Sequence, residues 1–157
     1  LMLNDSRPID VYGTPLQAGA AKSHQAARAS QSRQVAEFIL KNSPPSNESQ
    51  PVILAGDLNM GPVLDPTFTQ YSVHYVDKKD AIARNDSYIH MRDAAKLTDV
   101  FDRWKKEDIC RFLVRNMKIT PKLTYVDWAT RSLSDTDAIL CEVELGSGSR
   151  EMGSDRE

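Results

Sequence analysis

The stretch Pro51-Val52-Ile53-Leu54-Ala55-Gly56-Asp57-Leu58-Asn59-Met60-Gly61-Pro62 constrains this chain most. A short unbroken apolar run bounded by turn residues reads as a strand buried on both faces, whose end delivers the following residues to one edge of a sheet, where ligands bind. Asp57 and Asn59 lie two apart, so continued strand geometry would point both side chains to the same side. One is an acceptor-only carboxylate and the other an amide that both donates and accepts. The carboxylate can hold a metal or orient a water, while the amide can donate to a phosphoryl oxygen without competing for the cation. The alternative is that Asp57 only caps a turn or a helix start. The four residues alone leave both readings open.

Around this stretch the order is strand, helix, strand. Leu1–Asn4 and Ile9–Gly13 are apolar pieces separated by Asp5-Ser6-Arg7-Pro8, a turn signal, and predict a hairpin. Ser23–Lys41 is rich in Ala, Gln, Arg and Glu, with Val35, Phe38 and Ile39 on one helical face, and stops before Pro44-Pro45. Val63–Tyr88 has no clear period and receives no assignment. Leu97, Val100, Phe101 and Trp104 have helical spacing, with Asp99 in the first turn. Beyond Cys110 the period becomes two. Cys110–Arg115 reads as a strand, Thr120-Pro121 as a break, Leu123–Trp128 as a second strand, and Ile139–Leu145 as a third that alternates apolar residues with Glu142 and Glu144.

With 157 residues and a 40% hydrophobic share, the chain can form one domain with a real core. Its net charge of −2 gives no general attraction to polyanions and disfavours nucleic acid as a partner. No apolar run approaches membrane-spanning length. Cys110 and Cys141 match no metal-ligand spacing and read as free thiols in a reducing compartment, which points to the cytoplasm. Position 1 is Leu1, so the start of the protein, with any targeting segment, is expected upstream.

Three stretches in this order, Ile9–Ala18 (IDVYGTPLQA), Val52–Pro62 (VILAGDLNMGP) and Leu133–Leu140 (LSDTDAIL), resemble the C-terminal half of the endonuclease/exonuclease/phosphatase superfamily, the fold of DNase I. Within it, GDLNMGP and the helix HQAARASQSRQVAEFI are similar to neutral sphingomyelinase-type phosphodiesterases. The likeness spans residues 1–145 and leaves 146–157 as a disordered Gly/Ser/charged tail. It implies a four-layer α/β sandwich of two packed sheets flanked by helices, of which this chain holds the C-terminal half. It also implies a divalent metal, usually Mg²⁺, and in-line attack of water on a phosphodiester. Carried over by residue, Asp57 and Asn59 are the catalytic pair that positions water and phosphate, and Asp135, after Ser134, is the aspartate near the metal. The implied partner is a phospholipid or another phosphodiester, met through peripheral membrane contact.

The departures from the family pattern bear equally on function. Pro15 stands where the first motif carries a histidine, and it has no side-chain donor, acceptor or titrating group. Thr136 stands where the last motif carries its histidine, and a threonine takes no proton at neutral pH. The acid that orients that histidine aligns with Thr124 or with nearby Asp127. The half that supplies the family's metal-binding glutamate and an early asparagine has no counterpart in these residues. The readings that stand are a partial or degenerate phosphodiesterase, a non-catalytic binding module, and a nuclease of the same superfamily. His24, His74 and His90 fall at no family position and read as structural. Arg103, Lys105, Lys106, Arg111, Arg115, Lys118 and Lys122 form a basic stretch that reads as a solvated face, with phosphate contact as the functional alternative. Trp104 and Trp128 read as core.

Overall fold

The computed structural model describes residues 8–47, 50–63, 75–100, 109–126 and 138–145. In chain order the elements are β1 (Asp10–Gly13), α1 (Lys22–Asn42), β2 (Val52–Asp57), α2 (Lys78–Ala94), β3 (Thr98–Asp99), β4 (Cys110–Arg115), β5 (Met117–Val126) and β6 (Ala138–Leu145). β1 to β4 form a mixed sheet in the order β1-β2-β4-β3, and β5 and β6 form an antiparallel pair. The fold is thus mixed α/β.

β1 forms over the expected residues, but its described partner is β2, in parallel, with Asp10 opposite Val52 and Gly13 opposite Ala55. Parallel strands require a crossover rather than a hairpin turn, and α1 is that crossover. Residues 1–4 lie outside the described residues. α1 and α2 pack together over one face of the sheet, where Ala36, Ile39, Tyr88 and Met91 meet Val52, Leu54 and Leu113. The burial of β2 differs from the expectation of a strand buried on both faces. Val52 and Leu54 are fully buried, whereas Ile53 and Ala55 are only half-buried. α1 also turns differently from its apolar pattern. Its buried stripe runs through Arg28, Ser32, Ala36 and Ile39, and Phe38 is 58% exposed.

α2 falls in the stretch that sequence left unassigned, because Asp80, Arg84 and Ser87 occupy its inner face beside Ala81, Tyr88 and Met91 and mask the helical period. Asp77 caps its start, accepting from the Asp80 N–H at 2.8 Å. At its end Lys96 adopts φ +54°, the Leu97 N–H reaches Arg92 O at 2.9 Å and the Lys96 N–H reaches Asp93 O at 3.1 Å. These two bonds make a Schellman motif, with Leu97 as its buried apolar residue. Leu97 therefore ends a helix instead of starting one, and Thr98–Asp99 pair with β4 as a strand. Val100 follows, fully buried, and Phe101 and Trp104, the last two positions of the expected helix, lie outside the described residues.

β4 turns its arginines inward. Arg111, Leu113 and Arg115 stand opposite Gly56, Leu54 and Val52, so they share the helix-covered face. Arg115 donates to Ala95 O at 2.8 Å and to Ser43 O, placing one buried cation on the C-terminal caps of both helices, where orphan carbonyls and the helix dipoles favour it. Burial pushes its pKa down. Arg111 pairs with Asp99 through Nε at 2.8 Å and through Nη2, Tyr88 donates its hydroxyl to the same carboxylate, and the Arg111 guanidinium lies 5.6 Å from the Tyr88 ring centre. These two arginines are structural, which corrects their place on a solvated basic face. Lys118 is exposed. The expected break at Thr120-Pro121 is a register shift between Ile119 and Leu123 inside a continuous β5. Trp128 and the tail 146–157 lie outside the described residues.

Candidate functional site

Because β1 and β2 are parallel neighbours, both end at the same edge of the sheet, and their following loops meet there. The Leu16 N–H donates to Asp57 O at 2.9 Å, and the Thr14 N–H to Ala55 O at 3.4 Å. The approach is close at Gly56, which has φ +153°; a Cβ there would lie 2.3 Å from the Thr14 carbonyl oxygen. Only glycine accommodates both the backbone angle and the contact. Leu58 follows, fully buried, its N–H bonded to Ile109 O at 2.9 Å.

Strand geometry stops at Asp57. Asn59 adopts φ +49°, the left-handed region that asparagine tolerates better than most residues, so the two side chains do not simply alternate on one side of a strand. The turn brings them together instead. Asp57 Oδ1 accepts the Asn59 N–H at 3.0 Å, and Asn59 Nδ2 donates to Leu16 O at 3.0 Å. Asp57 thus caps its own turn, as the structural alternative required. It is also exposed, with Oδ2 bearing no hydrogen bond among the described residues. Asn59 is 9% exposed and keeps one amide hydrogen beyond the bond to Leu16.

A buried charged cluster behind the turn holds it in place. Arg84 donates from Nη1 to Asn59 O at 2.6 Å, from Nη2 to Gly19 O at 3.3 Å and from Nε to Asp80 Oδ2 at 2.8 Å. Arg28 donates from Nη1 to Gln17 O at 2.7 Å and Gly19 O at 3.0 Å, and its Nη2 lies 3.4 Å from Asp80 Oδ1. Burial, and then repulsion from Arg84, pushes the Arg28 guanidinium down to about 10, which leaves it charged at neutral pH. Sequence reasoning missed all three residues. Their signal was the Asp80/Arg84 pair at i,i+4 and an arginine nearly two turns into α1, both ordinary for surface helices.

The other expected positions divide in two. Pro15 is exposed and lines an apolar cleft of about 540 Å³ between β1 and α1, with Val11, Tyr12, Val35 and Phe38 among its walls. His24 is exposed, its ring where a Cβ on Gly19 would have to sit, while His90 is exposed on α2. His74, Ser134, Asp135, Thr136 and Asp127 lie outside the described residues. Among the described residues no three or more His, Cys, Asp or Glu side chains gather as a metal cage. No helix among them is long and apolar enough to cross a membrane.

No protein-family model matches the chain, and no curated protein matches it. Among solved structures, the crystal structure of SmcL matches over 89% of this chain at 15% identity with a TM-score of 0.43. The chain spans about half of that protein, 52% of its length.

Proposed function

We propose that the Asp57–Asn59 turn is part of a phosphodiester-hydrolysing site of the sphingomyelinase-like type, on an α/β sandwich of the endonuclease/exonuclease/phosphatase kind. The observation that carries the reading is the state of the two side chains at the joined ends of β1 and β2: an exposed carboxylate with one oxygen spent on its own turn and the other open among the described residues, beside an amide locked to Leu16. That pairing suits a water or a phosphoryl oxygen held between an acceptor and a donor. SmcL, a sphingomyelinase, agrees with this reading without carrying it.

Mg²⁺ binds through as few as one or two carboxylates, with waters and substrate phosphate completing its shell, so it does not need a cage of three or more acidic side chains. Asp135 would hold it, and when bound it would stabilise charge on the phosphoryl oxygens. Asp57 Oδ2 orients the attacking water, and the remaining amide hydrogen of Asn59 donates to the phosphate. Neither Pro15 nor Thr136 can move a proton.

Hydrolysis of sphingomyelin vesicles by the native protein with Mg²⁺, measured against Asp57→Ala, tests the reading; equal rates would sink it. Plasmid nicking by the same preparation separates a nuclease from a lipid phosphodiesterase. Pro15 favours a second reading, a non-catalytic binding module. That reading predicts no rise in Tm with Mg²⁺, since a ligand stabilises only the state it prefers.

A further inference from the structure

The arginine cluster behind the turn touches neither open side chain, yet it holds the main chain on both sides of the site. We propose that Arg84 is a positioning residue for Asn59, aimed by Asp80, an inference that rests on the phosphodiesterase reading of the turn. Three observations converge on it. Arg84 is 3% exposed, and its donors are distributed over one carboxylate and the carbonyls of two separate loops, Asn59 O and Gly19 O. Asn59 stands at φ +49°, a conformation that tertiary contacts must maintain. Its carbonyl bond to Arg84 and its side-chain bond to Leu16 fix the main chain and the side chain of the same residue, so the amide direction follows from both.

Asp80 completes the device. Its Oδ2 orients the Arg84 Nε, and its Oδ1 lies 3.4 Å from Arg28 Nη2, while Arg28 independently grips Gln17 O and Gly19 O. Two arginines from two helices therefore meet at the Gly19 carbonyl with one carboxylate between them. The loop after β1 and the loop after β2 are set relative to each other by this fork. A planar guanidinium can serve three acceptors in one plane, which an ammonium on a flexible stem does not reproduce.

The test is Arg84→Lys, which keeps the charge and removes the fork. Amide hydrogen exchange on the full chain should become about tenfold faster or more at Leu16 and Asn59, with the amides at the centre of β2 unchanged. Mg²⁺-dependent turnover of bis(p-nitrophenyl) phosphate should lose about tenfold or more in kcat while KM stays within about twofold, the split expected when a group is misplaced but binding survives. Unchanged exchange at Leu16 and Asn59 overturns the proposal, as does an unchanged kcat. A wild type without turnover overturns the phosphodiesterase reading instead, and exchange alone then decides whether Arg84 holds the turn. Should Arg84→Lys fail to fold, Asp80→Asn, which keeps the size and removes the aiming charge, is read by the same two measurements.

Discussion

Replacing Gly56 with alanine probes the point where the two site loops are closest. At φ +153° an L side chain costs about 1–3 kcal/mol in backbone strain. The added Cβ would also lie 2.3 Å from the Thr14 carbonyl oxygen, and this atom belongs to backbone that cannot rotate away. Overpacking of that kind costs about 1–3 kcal/mol. The two costs overlap, because any shift of Thr14 relieves part of both, and the expected loss is about 3 kcal/mol. In urea unfolding, with m of about 1–3 kcal/mol/M, the midpoint should fall by roughly 1–3 M. Gly13→Ala is the internal control. It is on the neighbouring strand, and its added Cβ meets nothing nearer than Ala55 O at 3.9 Å. It should change stability by no more than about 1 kcal/mol, in either direction. Equal midpoints for the two variants would refute the reasoning.

Other substitutions isolate other parts of the structure. Asn59→Ala should destabilise by about 2 kcal/mol, from the left-handed backbone and the lost bond to Leu16, whereas Asn59→Gly should recover the backbone share; thermal melts of both decide this. Asp99→Asn removes the carboxylate charge paired with buried Arg111 and should cost about 3–5 kcal/mol by denaturant titration. Arg115→Met removes the cation shared by the caps of α1 and α2 and should cost about 2–4 kcal/mol, with faster amide exchange in the last turns of both helices.

The legible parts of this chain were those whose physics is local. α1 is composed of helix formers and ends before Pro44-Pro45, and β2 is an apolar run ending in glycine, so both declared themselves. The Asp57-Leu58-Asn59 turn was visible for the same reason. α2 was not, because its inner face carries Asp80 and Arg84, whose partners Arg28, Gly19 and Asn59 lie elsewhere in the chain. Arg111 and Arg115 misled in the same way. An arginine reads as solvent-facing until a carboxylate or a pair of helix carbonyls is brought to it, and here Asp99, Ala95 and Ser43 are. By itself the sequence determined where the apolar strand ends and which two polar side chains follow it. Only the tertiary structure decided that β1 pairs in parallel with β2 and that the Asn59 carbonyl of the left-handed turn is held by Arg84, because both depend on contacts between residues far apart in the chain.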